Sequence, residues 1–137
     1  MLLWLNGPFG GGKTSVATAL AEASTGLRLF DPEWVGYMLR ANLPDIPHED
    51  FQDLPPWRAL VPRVAAEIAG HTGDTLVAAQ TVMSEPYWRE IKTGLAREGL
   101  TTVLVLLDCT PTELERRVKA DQVERQAEQW RLAHIAP

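Results

Sequence analysis

The sequence has only one cysteine, Cys109, among its 137 residues, so no disulfide can form within the chain. Disulfides are typical of secreted domains and rare in reducing compartments, which favours a cytoplasmic protein. Long apolar runs are lacking too. The longest, Val103–Leu107, is far shorter than the ~20 residues that a membrane-spanning helix needs. Any contact with a membrane would therefore be peripheral.

Basic residues are scarce as well. Lys and Arg total 13 against 18 Asp and Glu, and the net charge is -5 at pH 7. Nucleic-acid-binding proteins present basic surfaces, so we expect no nucleic-acid partner. With 45% hydrophobic and 23% charged residues, the composition is that of an ordinary globular protein. The length predicts one domain, residues 1–137.

Apolar blocks alternate with helical patterns along the chain, which predicts an α/β fold with a parallel sheet. The predicted strands are Leu2–Asn6, Leu27–Phe30, Thr75–Gln80 and Thr101–Leu107. Four helices are predicted. The first is Lys13–Ser24, and the second is capped by Asp31 with Pro32 at its first position. The third runs from Leu60 to Gly70, where Pro62 should kink or begin it, and the fourth runs from Ser84 to Gly99. Residues 43–56 contain four prolines and are predicted to be ordered but not helical. They begin a segment, 43–70, that we expect to cover a substrate.

A glycine-rich stretch between the first strand and the first helix fits the phosphate-loop pattern G-x-x-x-x-G-K-[ST] at every fixed position. Its residues are Gly7, Pro8, Phe9, Gly10, Gly11, Gly12, Lys13 and Thr14, and Ser15 follows them. Glycines allow backbone N–H groups to turn toward phosphates, and the helix that follows directs its positive end at them. Lys13 suits the β- and γ-phosphate oxygens of ATP, and the Thr14 hydroxyl suits Mg²⁺. A chance match is disfavoured by the strand before the loop and the helix after it.

Several classes of phosphate-loop protein are excluded by motifs that the sequence lacks. A switch GTPase needs N-K-x-D and D-x-x-G, and neither is present. A motor or AAA-type ATPase is expected to end its third strand in Asp-Glu, whereas this strand ends Ala79-Gln80-Thr81. A small-molecule kinase with a three-layer phosphate-loop fold remains.

The second strand is followed by Asp31-Pro32-Glu33, which resembles the Asp-x-Asp of shikimate-type kinases. By that resemblance Asp31 lies near Mg²⁺ or serves as the base, and Glu33 contacts the substrate. A purely structural role, in which Asp31 only caps a helix, is the alternative. The two roles are compatible.

Arginines are candidates for orienting the substrate and the transferred phosphoryl group. Arg40 and Arg58 could bind a polar substrate, and each could equally be a solvated surface charge. Residues 114–132 resemble the lid of small kinases, whose arginines neutralise the transition state. The pattern L-x-x-R-φ in that lid favours Arg117, although Asp121 stands where a second arginine is usual.

Aromatic side chains are predicted to line the acceptor pocket, since flat apolar surfaces suit a nucleobase or an acyl chain. The candidates are Trp34, Phe51, Trp57 and Trp88. Trp57 is preferred because it stands beside Arg58 at the end of the proline-rich segment. Burial in the core is the alternative for each of them.

The whole chain resembles the tunicamycin-resistance family of phosphate-loop proteins. The resemblance rests on three blocks: Leu3 to Gly10 leading into the loop, Phe30 to Glu33 with Val35 to Arg40, and Asp50 to Asp53 with Pro56-Trp57-Arg58. It implies a kinase-like protein that binds ATP and protects bacteria from a uridine-containing nucleoside antibiotic. Phosphorylation of tunicamycin and its sequestration without transfer both remain open. The chain departs from the family at Val77-Ala78-Ala79-Gln80-Thr81, where Pro-Met-Thr is expected, and in lacking the C-terminal strand and adenine-side loop.

Overall fold

The computed structural model describes residues 1–8 and 12–107. Within these residues the chain forms one four-stranded parallel sheet. Its strands are β1 (Leu2–Asn6), β2 (Leu27–Phe30), β3 (Thr75–Ala79) and β4 (Thr102–Leu106). The predicted α/β fold is confirmed. The predicted bounds of β1 and β2 hold, and β3 and β4 are shorter by one residue at one or both ends.

The spatial order of the strands is β2-β3-β1-β4. Strand β1 therefore lies inside the sheet, with Leu3 paired to Val77 of β3 and to Val103 of β4. Parallel strands buried on both faces are continuously apolar, as β1 and β3 are in the sequence. All four carboxyl ends meet at one edge, and the phosphate-loop sequence begins at this edge.

Four helices and a short 3₁₀ helix surround the sheet in the described part of the chain. They are α1 (Lys13–Ala23), α2 (Glu33–Asn42), the 3₁₀ helix Phe51–Asp53, α3 (Pro55–Thr72) and α4 (Glu85–Arg97). Ala17 of α1 packs with Leu5 and Val77 on one face of the sheet. Helices α2, α3 and α4 cover the other face, where the larger core contains Trp4, Leu76 and Ala78 with these helices' apolar side chains. The sheet is thus the middle of three layers.

Helix α2 begins one residue later than predicted, at Glu33, with Pro32 in the flanking position. The N-cap is therefore Pro32 and not Asp31 as predicted, but Asp31 still stabilises this end of the helix, because its Oδ1 accepts a hydrogen bond from the backbone N–H of Glu33 at 2.9 Å. The predicted cap of α4 is confirmed: Ser84 Oγ accepts from Tyr87 N at 3.4 Å. Ile91 and Leu95, predicted to face inward, are fully buried.

The third helix is longer than the predicted Leu60 to Gly70, so the prediction that residues 43–56 are not helical was wrong at its end. Of the two roles predicted for Pro62, the start of the helix is wrong. Helix α3 begins at Pro55, and Pro62 lies inside it. The consecutive prolines Pro55 and Pro56 occupy the first helical positions, where a missing N–H costs nothing. The Pro62 ring packs closely on α4, since a Cβ added at Gly94 would lie 2.8 Å from its Cγ. No helix in the described residues is long and apolar enough to cross a membrane.

Candidate functional site

The site lies at a crevice between β1 and β3. These adjacent strands continue into helices on opposite faces of the sheet, since α1 follows β1 and α4 follows β3. Such switch points are where open α/β sheets bind ligands, at the carboxyl ends of the strands. The phosphate loop forms one side of this crevice, and residues 80–84 form the other.

Glycines set the backbone of the loop where the structure describes it. Gly7 has φ +150° and Gly12 has φ +88°, conformations that side chains rarely adopt. Gly7 is also crowded, because a Cβ there would lie 2.3 Å from the carbonyl oxygen of Leu107. Gly12 directly precedes α1 and supplies no side-chain cap. The positive end of a helix at such a position is a typical site for an anion.

Lys13, the first residue of α1, is held inside the loop. Its side chain is only 9% exposed, and Nζ donates a hydrogen bond to the carbonyl oxygen of Pro8 at 2.8 Å. Thr14 and Ser15 are exposed beside it at the start of the helix. This places an ammonium group and two hydroxyls at the positive end of a helix, as a phosphate site requires. The predicted residues Phe9, Gly10 and Gly11 lie outside the described residues.

Asn6 and Thr81 fasten the loop to the far side of the crevice, and the sequence prediction missed both. Asn6 Oδ1 accepts hydrogen bonds from Gly7 N and Val82 N, both at 2.8 Å, and Nδ2 donates to Val82 O at 2.8 Å. The Thr81 hydroxyl donates to Gly7 O at 2.7 Å. A polar residue that ends a buried apolar strand was the available signal for Asn6. No signal links residues that are 76 positions apart in sequence.

Asp31 and Glu33 lie at the same edge of the sheet, beyond the end of β2. Strand β3 separates β2 from β1, so Asp31 is about two strand spacings, roughly 10 Å, from the base of the loop. Asp31 is exposed, and Glu33 accepts a hydrogen bond from the Tyr37 hydroxyl at 3.1 Å. The negative charge of Glu33 is the main reason that the pKa of Tyr37 is raised. Asp31 and Glu33 thus lie together beyond the end of β2, at the edge of the sheet where the loop begins.

Three predicted substrate residues meet around Tyr37 on α2. Its ring lies 5.3 Å from that of Trp34 and 5.2 Å from that of Phe51, both edge to face. The Arg40 guanidinium lies 4.5 Å from the centre of the Phe51 ring. Trp34 is 69% exposed, so this group presents a free aromatic face at the carboxyl edge. Gly36 makes the packing possible, since a Cβ there would lie 2.1 Å from the Phe51 ring.

The prediction that Trp57 lines a pocket was wrong. Trp57 is 0% exposed, belongs to the main core and donates Nε1–H to the carbonyl oxygen of Pro32 at 3.1 Å. Because the two prolines before it start a helix, Trp57 lies on the inward side of the first turn. Trp88 is half-buried and packs on the core residue Trp4, with ring centres 5.3 Å apart.

Arg58 is neither a solvated charge nor a free substrate contact. It pairs with Glu90, donates to the carbonyl oxygen of Gln52 and lies 4.2 Å from the centre of the Tyr87 ring. These contacts tie α3 to α4 and to the 3₁₀ helix. Its role in the structure is to support a neighbouring cavity.

That cavity has a volume of about 210 Å³ and adjoins the crevice. It is lined by Asp50, Gln52, Asp53, Thr81, Met83, Ser84 and Tyr87. The Tyr87 hydroxyl donates to Asp53 Oδ1 at 3.1 Å, and this bond is the main reason that the pKa of Tyr87 is raised. Carboxylates, hydroxyls and an amide line it without a cation. A larger cavity of about 390 Å³, at the start of β4, lies at the opposite edge of the sheet.

Solved structures with similar folds include a tunicamycin resistance protein and two small-molecule kinases. The tunicamycin resistance protein of Deinococcus radiodurans matches with a TM-score of 0.77 and 27% identity, over 99% of this chain and 80% of that one. A sugar kinase from Janibacter sp. HTCC2649 matches with a TM-score of 0.67 and 18% identity, over 99% of this chain and 78% of that one. A gluconokinase from Sinorhizobium meliloti 1021 matches with a TM-score of 0.63 and 20% identity, over 98% of this chain and 74% of that one. The resemblance to the tunicamycin-resistance family and the kinase-like fold are thereby confirmed.

One of two sequence comparisons identifies a family. No curated protein matches the sequence significantly. A family model described as an AAA domain matches residues 2–136. The missing acid after β3 therefore does not separate this chain from proteins of that description, contrary to the sequence prediction. Arg117 and the predicted lid, 114–132, lie outside the described residues. The match spans nearly the whole chain, which accordingly belongs to this AAA domain family of nucleotide-binding phosphate-loop proteins with a kinase-like fold.

Proposed function

We propose that this protein is an ATP-dependent phosphotransferase of the tunicamycin-resistance type, acting on a hydroxyl group of a nucleoside-like antibiotic. The observation that carries the proposal is the enclosed Lys13 ammonium at the start of α1, on the same sheet edge as the exposed Asp31 carboxylate. The ammonium of Lys13 suits the phosphates of a donor such as ATP, and the carboxylate of Asp31 suits the hydroxyl of an acceptor. The kinase-like fold supports the same division.

On the donor side, the residues present fit Mg·ATP. The backbone of Gly7 to Gly12 and the start of α1 would hold the phosphates, and Lys13 would leave Pro8 O for the β- and γ-phosphate oxygens. Thr14 and Asp31 would hold Mg²⁺, and Ser15 would contact the nucleotide. The ion would neutralise charge on the β- and γ-phosphates. Arg117 is proposed to supply further positive charge from a lid.

On the acceptor side, Asp31 would accept the proton of the attacking hydroxyl. The hydroxyl oxygen then bonds to the γ-phosphorus, the bond to the β–γ bridging oxygen breaks, and ADP leaves. Glu33 and Arg40 would contact the polar parts of the acceptor, while Trp34 and Phe51 offer aromatic surface to its base or acyl chain. The reaction would take place in the cytoplasm, where ATP is plentiful, with at most peripheral membrane contact.

Sequestration of the antibiotic without phosphoryl transfer is a second candidate function. It is favoured by the residues after β3, where Gln80 and Thr81 offer neutral groups instead of an acid that could help to hold the metal. In this case ATP would stabilise the binding-competent form and would not be consumed.

Mass measurement of the drug separates the two functions. Protein, Mg·ATP and tunicamycin are incubated together, with Asp31→Asn protein as the matched control. Phosphotransfer predicts a drug species heavier by one phosphoryl group and ADP in equal amount, both strongly reduced in the control. Tight drug binding with unmodified drug and unconsumed ATP would refute transfer and support sequestration.

A further inference from the structure

Gln80 occupies a constrained position at the crevice. It directly follows β3, the strand between β1 and β2. Its backbone N–H donates to Leu5 O at 3.2 Å, and its carbonyl oxygen accepts Nε1–H of Trp4 at 3.0 Å. The residue is only 9% exposed. With both backbone groups bonded, the backbone of Gln80 is fixed to the sheet.

The side-chain oxygen of Gln80 lacks a partner. Among the residues that the structure describes, Oε1 is buried and makes no hydrogen bond. Gln52, a second glutamine that is equally buried at 8% exposed, donates from Nε2 to the carbonyl oxygen of Thr81. Buried acceptors in native proteins are nearly always paired, so an unpaired one calls for an explanation, and a bound ligand is one such explanation.

The alternation of residues along β3 shows on which face of the sheet Gln80 lies. Val77 packs with Ala17 on the α1 face, whereas Leu76 and Ala78 belong to the core under α2, α3 and α4. Successive strand residues alternate between faces, so Gln80 falls on the face of Leu76 and Ala78. This face is opposite to α1, the helix whose start forms the phosphate site. The next residue, Thr81, lines the acidic cavity.

We propose that Gln80 is a specificity-determining residue for the acceptor: its Oε1 accepts a hydrogen bond from a hydroxyl or ring N–H of an uncharged ligand. A neutral carbonyl oxygen pairs with such donors without requiring a charge. It would also repel the triphosphate less than the acid found there in other phosphate-loop proteins. The inference rests on the proposed function, since it assumes that the acceptor binds on this side of the crevice.

The stability of the unliganded protein gives the first test, with the same substitution at the two buried glutamines. Gln80→Leu removes an unpaired acceptor and replaces it with an apolar group of similar size, so the melting temperature should stay the same or rise. Gln52→Leu removes a donor and strands the carbonyl of Thr81, so the melting temperature should fall by about 3 °C or more. An equal fall in both variants would mean that Oε1 has a structural partner, and would overturn the proposal.

Ligand binding gives the second test, by calorimetric titration with three probes: tunicamycin, uridine and Mg·ATP. Gln80→Leu should weaken the binding of tunicamycin or uridine about tenfold, the worth of one hydrogen bond to a buried group. Binding of Mg·ATP should change by less than about twofold, since the loop is untouched.

The outcomes distinguish this inference from the proposed function. Unchanged tunicamycin and uridine affinities in Gln80→Leu, with phosphorylation intact in both proteins, would overturn the role of Gln80 alone. A parent protein that binds Mg·ATP and neither of the other probes would overturn both the role of Gln80 and the assigned acceptor. Loss of Mg·ATP binding in Gln80→Leu, with acceptor binding kept, would place the residue on the nucleotide side and refute the proposal.

Discussion

At the scale of single residues, the Asp31 carboxylate has one observed structural contact and one proposed catalytic role. Its Oδ1 accepts the Glu33 N–H at 2.9 Å and so begins α2, and its exposure leaves the carboxylate open to a substrate. A cap needs only a side-chain oxygen, whereas a base needs a charge that can take a proton. The two demands are therefore separable by substitution.

Asp31→Asn should leave the fold intact and impair the reaction. Asparagine caps helices about as well as aspartate, so the free energy of unfolding should change by no more than about 0.5 kcal/mol. Turnover should fall by ~10²-fold or more, because the amide cannot act as a base. Urea unfolding and the rate of ADP release are the measurements. Equal turnover in both proteins would reduce Asp31 to a structural residue.

Trp57 and Trp34 form a natural comparison, because one is fully buried and the other is 69% exposed. Trp57→Leu should lower the free energy of unfolding by about 2 to 4 kcal/mol, since it leaves a cavity and strands the carbonyl of Pro32. Trp34→Leu should change it by less than about 0.5 kcal/mol and should instead reduce the fluorescence response to tunicamycin. Equal stability of the two variants in urea would contradict the core assignment of Trp57.

At the scale of elements, Gly36 and Phe51 attach the segment before α3 to α2. The Phe51 ring lies where a Cβ of residue 36 would stand, at 2.1 Å, and Arg40 covers the ring from the side. The 3₁₀ helix Phe51–Asp53 is thereby positioned over the carboxyl edge, and it carries Gln52 and Asp53 to the cavity. Two of the sequence blocks on which the family resemblance rests, those around residues 36 and 51, therefore pack against each other.

Gly36→Ala should displace the 3₁₀ segment. Overpacking at such a site costs about 1 to 3 kcal/mol, and it should show as a lower melting temperature and faster proteolysis between α2 and α3. Gly70→Ala in α3 is the matched control. Nothing lies within 4 Å of its Cβ position, so helix propensity should make it neutral or stabilising by up to about 1 kcal/mol. If both variants behaved alike, close packing at Gly36 would be refuted, and rescue of Gly36→Ala by Phe51→Ala would support it directly.

How much the sequence could predict depends on the range of the interactions. Strands β1 and β2 and the cap at Ser84 follow from local patterns, and they were predicted nearly to the residue. Trp57 was misassigned, because its burial depends on a helix that starts at Pro55, and a run of prolines also suits a loop. The bonds of Asn6 and Thr81 were unpredictable, since they join β1 to the end of β3 and arise only when the sheet is assembled.

At the scale of the whole molecule, four acidic residues lie on the side of the site that we propose binds the acceptor, where Arg40 and Arg58 are already paired with protein groups. Asp31 and Glu33 lie beyond β2, and Asp50 and Asp53 line the cavity next to Thr81. The buried Lys13 lies at the start of α1, on the side that we propose binds the phosphate donor. Like charges at close range raise the cost of binding by several kcal/mol in partly buried sites, which sets a preference between acceptors.

Uncharged acceptors should therefore be preferred over acidic ones. Uridine and tunicamycin should be phosphorylated with kcat/KM at least ~10-fold above that of gluconate, which carries a carboxylate. Release of ADP at saturating Mg·ATP, measured for each acceptor at the same concentration, gives the comparison. Faster turnover of gluconate would show that the acidic cavity does not face the acceptor.

The central claim is that the loop between β1 and α1 binds the triphosphate of ATP through Lys13. Calorimetric titration of Mg·ATP into the parent protein, Lys13→Ala and Lys92→Ala tests it most directly. Lys92 is exposed on α4, away from the loop, so removing its charge controls for net charge alone. Lys13→Ala should weaken binding at least ~10-fold, about 1.4 kcal/mol, and Lys92→Ala should leave it unchanged. Equal affinity of the parent and Lys13→Ala for Mg·ATP would contradict the claim.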